Sequence, residues 1–167
     1  MTKPIQGFAL ALLAALALLP PGTAGEPDRD ERAVAAVIDD WHAAAAAADE
    51  ERYFGHLTDD AVFLGTDATE RWRKDRFRAY AHPYFAKRKA WSFRSVRRAV
   101  TFSADGTVAW FDEDLATPSL GPCRGSGVLV LAGGVWKLAQ YNLSVTVPNS
   151  VFDQVKRVIA GAPAVDH

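Results

Sequence analysis

The stretch that decides the fold lies near the C-terminal end and reads Val135-Trp136-Lys137-Leu138-Ala139-Gln140-Tyr141-Asn142-Leu143-Ser144-Val145. Its aromatic and branched residues, with the turn pair Gly133-Gly134 in front of it, predict one long strand. Side chains alternate between the two faces of a strand, so one face is expected to carry Trp136, Leu138, Gln140, Asn142 and Ser144. The opposite face is mostly apolar. A strand covered on both sides, with a neutral polar row on one of them, indicates a sheet curved around a small pocket.

Three further strands are predicted upstream of this stretch. From Trp91 onward the apolar residues follow a period of two, which predicts strands over residues 90–102, 107–117 and 124–132. Residues 103–106 and Gly133-Gly134 form the hairpin turns. With the last strand over residues 135–147, the second half of the chain is a four-stranded antiparallel meander.

The first half is predicted to be mainly helical. Apolar residues recur at helical spacing over residues 32–48, and a shorter helix follows over residues 50–57, then a turn and a short strand over residues 61–64. Asp67 and Glu70 fit a capping box for a helix through Ala81, which Pro83 is expected to end. A final helix covers residues 151–159. Helices followed by a meander predict an α+β fold in which a strongly curved sheet forms a half-open cone.

The N-terminus is predicted to be a secretory signal peptide. An unbroken apolar run from Phe8 to Leu19 is followed by Pro20, Pro21 and small residues suited to cleavage. The run is short for a bilayer span, although an uncleaved anchor is the alternative. We therefore expect residues 1–25 to be removed, residues 26–160 to form one domain and residues 161–167 a flexible tail. The mature protein is expected in the periplasm or secreted, without a stable membrane span.

Charge and cysteine content indicate which binding partners and which covalent cross-links are expected. The 167-residue chain has a net charge of −1, so no nucleic-acid partner is expected. Residues 26–60 are acidic and residues 71–98 are basic, which is typical of helix faces that attract each other, with an anionic partner as the alternative. Cys123 is the single cysteine, so the domain has no internal disulfide, and a packing role beside Pro122 is favoured.

Two segments resemble a known family. Residues 59–72 contain Asp59-Asp60-Ala61-Val62-Phe63 followed by a glycine turn, and residues 124–130 and 136–144 with Pro148-Asn149 look like a last hairpin. They resemble secreted bacterial SnoaL-like domain proteins of the nuclear transport factor 2-like superfamily. The resemblance implies the cone fold but no single activity, because the superfamily includes isomerases, cyclases, hydratases, dehydratases and binding modules.

The resemblance also bears on the catalytic base. In catalytic relatives an acid or a histidine inside the cone usually takes the proton, and many carry His where this chain has Gln140 and Asn142. Neither amide can accept a proton at neutral pH. Base catalysis from this strand is therefore not expected.

Glu113 and Asp112 are the candidate catalytic residues. They lie in the strand Trp110-Phe111-Asp112-Glu113-Asp114-Leu115, where neighbouring residues point to opposite faces, so only one can face the cone. An acid that lines an apolar cone has a raised pKa and can move a proton. The sequence leaves open which acid faces inward. The alternative is a solvated strand edge or an ion pair with Arg94, Arg97 or Arg98.

The predicted ligand pocket combines rings with a polar end. Its walls are expected to contain Trp41, Tyr53, Trp72, Tyr80, Trp110 and Tyr141, and its polar end Arg124, Gln140, Asn142 and Ser144. Such a site suits a small hydrophobic or aromatic ligand, although core packing explains the rings nearly as well. Arg124 could hold a ligand carboxylate or make a structural ion pair.

No metal or cofactor is expected. His42, His56 and His82 are scattered without metal-ligand spacing, and surface or packing roles are favoured. The sequence contains no phosphate-binding glycine loop, dinucleotide fingerprint or serine-hydrolase signature. It therefore predicts an exported small-molecule-binding protein. The alternative is an isomerase, cyclase or dehydratase with a pocket carboxylate as base, and a homodimer formed through the outer sheet face is compatible with both.

Overall fold

The computed structural model describes residues 29–163. The predicted signal peptide and residues 164–167 of the predicted tail lie outside the described residues. The helices are α1 (Arg29–Ala46), α2 (Glu50–Gly55), α3 (Lys74–Ala86) and α4 (Phe152–Ala160), with a 3₁₀ turn at Asn149–Val151 before α4. The strands are β1 (Leu57–Leu64), β2 (Arg71–Arg73), β3 (Arg94–Phe102), β4 (Val108–Ala116), β5 (Cys123–Ala132) and β6 (Val135–Val145).

The six strands form one mixed, curved sheet in the order β2-β1-β6-β5-β4-β3. The predicted meander is confirmed: β3 to β6 pair antiparallel in sequence order. β1 joins β6 in parallel, and β2 pairs antiparallel with β1. The α+β cone is therefore confirmed. Its sheet contains β1 and β2 in addition to the four strands of the meander.

The core lies between the helices and the inner face of the sheet. Val34, Ile38 and Trp41 on one face of α1 are buried, as are Leu129 and Leu138 on the sheet. Each such side chain contributes about 1.5–3 kcal/mol when it is withdrawn from water. The i, i+4 and i+7 spacing along α1 is thus what holds this helix against the sheet.

The predicted helix after Gly65 begins later than expected. Glu70 Oε2 accepts the Asp67 amide proton at 3.2 Å, as in a capping box. However, Gly65 N–H also donates to the Glu70 carbonyl at 2.8 Å, and this bond closes a hairpin. Residues 71–73 therefore extend the sheet as β2, and α3 begins only at Lys74.

Two other boundaries differ from the prediction. Residues 58–60 belong to β1 rather than to a turn. Pro83 lies inside α3, which continues to Ala86. Phe77, Ala81 and Phe85 are buried at intervals of four residues, so packing of this face outweighs the backbone hydrogen bond that Pro83 removes.

A β-bulge at Ala139 reverses the faces of β6. Leu138 pairs with Leu129 and Gln140 with Val128, so Ala139 has no partner on β5. Trp136 and Leu138 are buried before the bulge, and Tyr141 and Leu143 after it. An extra residue shifts the alternation by one. The prediction that Gln140, Asn142 and Ser144 share a face with Trp136 is therefore wrong.

Helix α4 follows the sheet without becoming part of the core. Phe152, Val158 and Ile159 are exposed, and none of its residues is buried. Among residues 29–163, no helix combines the length and apolar character needed to cross a membrane.

Candidate functional site

A cavity of about 580 Å³ opens between the helices and the sheet. About half of its lining residues are aromatic, and the rings come from α1, α2, β1, β2, α3, β6 and the segment before β3. They are Trp41, Tyr53, Phe63, Trp72, Phe77, Tyr80, Tyr84, Trp91, Phe93 and Tyr141. Pro118, Ser119 and Leu120 of the β4–β5 loop close another part of the wall.

The rings of the wall pack against one another. Phe63 and Phe77 stack with centroids 4.0 Å apart, Trp41 and Tyr53 stack at 4.9 Å, and the indole of Trp72 stacks on Tyr80 at 4.6 Å. Aromatic pairs at such distances add about 0.5–1.5 kcal/mol beyond their burial. The wall is therefore held in place by its own contacts before any ligand enters.

Glu113 lies beneath this cavity at the centre of a polar network. Its side chain is 0% exposed. Oε1 lies 2.7 Å from His42 Nε2 and accepts the Tyr141 hydroxyl at 3.3 Å. Oε2 accepts Arg98 Nη2 at 2.8 Å and Arg98 Nε at 3.1 Å. Four elements, α1, β3, β4 and β6, thus meet at one carboxylate.

The strand register explains how these groups meet. Glu113 is opposite Arg98 on β3 and opposite Gly125 on β5. A Cβ atom on residue 125 would stand 2.2 Å from Tyr141 Oη and 3.0 Å from Glu113 Oε1. Only glycine leaves room here for the carboxylate and the phenol together.

The network keeps Glu113 ionised. Burial by itself raises the pKa of Glu113, but the hydrogen bonds from His42 and Arg98 and their electrostatic attraction for the carboxylate outweigh burial and leave the pKa below the usual 4.5. The predicted raised pKa of a cone carboxylate is therefore wrong. The alternative ion pair with Arg98 is present, and His42 is the partner that the sequence analysis did not identify.

The ionised carboxylate sets the tautomer of His42. A carboxylate only accepts hydrogen bonds, so His42 donates through Nε2. In the neutral imidazole this leaves Nδ1 with the free lone pair. Tyr141 remains protonated, because burial first and then the charge of Glu113 raise its pKa well above 10.0. His42 also lines the cavity, whereas Glu113 does not.

The structure separates the predicted site residues into two groups. Trp41, Tyr53, Trp72, Tyr80 and Tyr141 line the cavity. Glu113 points inward behind them, and Asp112 is exposed on the outer face of the sheet. The predicted pocket residues that do not line it are Trp110, Arg124, Gln140, Asn142 and Ser144.

Strand pairing accounts for these misplaced residues. Asn142 pairs across the sheet with Ser126, and Ser144 pairs with Arg124, so all four lie on the outer face. Asn142 Nδ2 donates to Ser144 Oγ at 3.2 Å, and Arg124 lies 3.7 Å from Asp114 Oδ1. Trp110 is 47% exposed on the same face. The prediction that these residues line the pocket is therefore wrong. The bulge at Ala139 accounts for Asn142 and Ser144, whereas Trp110 and Arg124 lie on outward-facing positions of β4 and β5.

His42 is the principal residue that sequence reasoning missed. It follows Ile38 by four residues and precedes Ala45 by three, which places it on the buried face of α1. That spacing was the available signal. Of the other predicted histidines, His56 Nε2 lies 2.7 Å from Asp40 Oδ2 and His82 Nδ1 lies 2.8 Å from Glu50 Oε2. Neither lines the cavity.

Helices packed into a strongly curved mixed sheet are the fold of nuclear transport factor 2-like domains. A model of the SnoaL-like domain family matches residues 34–148, which is more than half of the chain. The chain belongs to the SnoaL-like domain family. A search of curated protein sequences finds no match.

Solved structures agree on the fold. An NTF2-like protein of unknown function from Pseudomonas putida is 13% identical with a TM-score of 0.57, covering 71% of this chain and 87% of its own. A candidate aromatic ring hydroxylase from Novosphingobium aromaticivorans is 18% identical with a TM-score of 0.61, covering 71% and 90%. A candidate scytalone dehydratase from the same organism is 12% identical with a TM-score of 0.57, covering 70% and 83%. At such identities the likeness concerns the fold alone.

Proposed function

We propose that this chain is an exported protein whose cavity binds a small, largely apolar ligand with one or two flat rings. The observation that carries the proposal is the cavity itself, whose volume of about 580 Å³ lies within the usual ligand range of about 300–1,000 Å³. Its stacked aromatic wall suits flat apolar molecules. The expected signal peptide supports export.

Two buried donors on the wall favour a ligand that also carries an acceptor oxygen. Among the described residues, Trp41 Nε1 and the Tyr53 hydroxyl have no hydrogen-bond partner. Burial raises the pKa of Tyr53 well above 10.0. The Trp91 indole offsets part of this rise, although it does not form a hydrogen bond with the Tyr53 hydroxyl. An unpaired buried polar group costs about 1–3 kcal/mol. A carbonyl or ether oxygen that reached these rings would supply the missing partner.

Ligand binding is tested with the neutral fluorescent dye N-phenyl-1-naphthylamine and the chain from Glu26 onward. Ala90 lines the cavity, whereas Ala99 is exposed on β3. We expect Ala90→Trp to fill the cavity and weaken dye binding by about tenfold or more, while Ala99→Trp leaves it unchanged. Equal binding by both variants would place the dye elsewhere and reject the proposal. Native mass spectrometry of protein purified from its own host provides a second test, in which a retained small molecule is expected.

A second candidate function is proton transfer, as in the isomerase, cyclase and dehydratase alternative. The observation that favours it is the 2.7 Å contact between His42 Nε2 and Glu113 Oε1 beside the cavity. In this proposal His42 Nδ1 takes a proton from a carbon next to a carbonyl group and later returns it. Glu113 is a positioning residue that holds the imidazole and stabilises its charged form.

Proton transfer is tested by deuterium exchange. Small cyclic ketones are incubated with the protein in D₂O, and deuterium at the carbon beside the carbonyl is followed by NMR. We expect His42→Gln to abolish protein-dependent exchange and Glu113→Gln to slow it by about 10²-fold or more. His82→Gln is the control, because His82 lies outside the cavity wall. Exchange that survives His42→Gln would reject this role.

A further inference from the structure

Three consecutive cations, Lys87, Arg88 and Lys89, follow α3 at the mouth of the cavity. Lys89 lines the cavity, and it also lines an adjoining depression of about 470 Å³ together with Lys87. Tyr80 and Tyr84 line both spaces. The cavity therefore continues past two phenols toward two lysines.

The backbone that carries Lys89 is held in a defined turn. Lys89 N–H donates to the Tyr84 carbonyl at 2.9 Å, and Arg88 N–H donates to the Phe85 carbonyl at 3.0 Å. These two bonds form a Schellman motif, in which the residue at the Arg88 position is usually glycine. Arg88 occupies that position with a φ of 52°. The turn thus keeps a strained non-glycine residue between two lysines at the cavity mouth.

Some basic side chains of this region have a carboxylate partner and others do not. Lys74, Arg78, Arg97 and Arg98 each form an ion pair with a carboxylate. Within residues 29–163, no carboxylate forms an ion pair with Lys87, Arg88 or Lys89. Glu70 is the acidic residue of the cavity wall, and its carboxylate accepts the Asp67 amide proton and covers Gly65. Among the described residues, the two lysines at this end of the cavity therefore have no ion-pair partner.

We propose that the ligand of this cavity is amphipathic, with its ring-bearing body among the aromatic side chains and an anionic group, such as a carboxylate or sulfonate, beside Lys89. The inference rests on the proposed ligand-binding function and adds the charge of the ligand and its orientation. An ammonium at the entrance attracts an anion without the desolvation that a buried cation would require. The Tyr80 and Tyr84 hydroxyls provide neutral donors along the same path.

Two dyes with the same ring system test the charge. N-phenyl-1-naphthylamine is neutral, and 8-anilino-1-naphthalenesulfonate adds one sulfonate. We expect the chain from Glu26 onward to bind the sulfonate about 3–10-fold more tightly. Lys89→Gln should weaken the binding of the sulfonate dye about fivefold and change the binding of the neutral dye by less than about twofold. Lys156→Gln on α4, which also removes one exposed lysine, should change neither.

Salt and charge reversal sharpen the test. Raising the salt concentration from about 0.02 to about 0.5 M should weaken the binding of the sulfonate dye and leave the binding of the neutral dye unchanged. Lys89→Glu should weaken binding of the sulfonate dye more than Lys89→Gln does. Circular dichroism checks that each variant is folded. The inference is overturned if the sulfonate dye binds no more tightly than the neutral dye, or if Lys89→Gln weakens the binding of both dyes equally. In either case the ligand-binding proposal stands, provided that the neutral dye binds in the cavity. If neither dye binds, both are overturned.

Discussion

His42 Nε2 lies 2.7 Å from Glu113 Oε1, although the two residues are 71 positions apart in the chain. This contact joins α1 to β4 beneath the cavity. Arg98 approaches the same carboxylate from β3 and also donates to Asp39 Oδ1 at 2.8 Å and to the Ala35 carbonyl at 3.2 Å, both on α1. The first helix is thus attached to the sheet by a buried polar network as well as by apolar packing.

Removing the charge at the centre of this network should be strongly destabilising. Glu113→Gln leaves the largely buried Arg98 guanidinium without its carboxylate partner at position 113, so we expect a loss of about 3–5 kcal/mol in the free energy of unfolding. Urea denaturation measures it. Asp114→Asn, which removes an exposed partner of Arg97, should cost less than about 1 kcal/mol. Similar small losses in both variants would contradict a structural role for the network.

The network also predicts how stability depends on pH. The pKa of Glu113 is lower in the folded chain than its ordinary 4.5. Its contribution to stability is therefore complete above pH 4.5 and is lost as the pH falls from there through the folded pKa. Wild-type stability should fall more steeply below this pH than that of Glu113→Gln. Denaturation curves across the acid range provide the comparison, and parallel slopes would reject the assignment.

Gly125 should be intolerant of a side chain. Gly125→Ala would place Cβ 2.2 Å from Tyr141 Oη, so we expect a loss of about 1–3 kcal/mol in the free energy of unfolding. Tyr141→Phe in the same chain removes the hydroxyl and should recover part of that loss, which a double-mutant cycle measures. Gly55→Ala is the control, because its added Cβ meets nothing within 4 Å. Additive losses in the cycle would contradict the steric explanation.

Helix α4 should be dispensable for folding. None of its residues is buried, so a chain that ends at Pro148 should unfold within about 1 kcal/mol of the longer chain. Thermal unfolding followed by circular dichroism makes the measurement. A larger loss would show that α4 is covered in the protein as it exists in solution.

The outer face of the sheet is where we expect a homodimer to form. It carries Trp110, which is 47% exposed, beside the partly exposed Val128 that pairs with it on β5. Sedimentation at tens of micromolar should give a dimer, and Trp110→Arg should give a monomer. A monomeric wild-type protein would reject this expectation.

Local pattern was sufficient for much of the fold. The period-two residues after Trp91, the Gly133-Gly134 turn and the apolar spacing of residues 32–48 predicted the meander and α1. The same spacing placed Glu113 and Asp112 on opposite faces of β4, which the structure bears out. These features depend on neighbours in the chain, so a single sequence contains the information they need.

The helix after Gly65 and the polar row of β6 were mispredicted because longer-range contacts decide them. Pairing with β1 turned residues 71–73 into a strand. One unpaired residue, Ala139, moved Asn142 and Ser144 to the outer face and Tyr141 to the inner one. A bulge arises from cross-strand registry, which alternation within one strand does not report.

By itself, the sequence determined the α+β cone, the resemblance to SnoaL-like proteins and the opposite faces of Asp112 and Glu113, whereas the structure decided that Glu113 is the one that faces inward. Only the tertiary structure decided which side chains surround that carboxylate and which of the predicted rings line the cavity. His42, Arg98 and Tyr141 come from three separate elements, and their meeting depends on helix packing and strand register together. The physical reason is that periodicity fixes the direction of a side chain relative to its own element, whereas a site also requires the positions of the other elements.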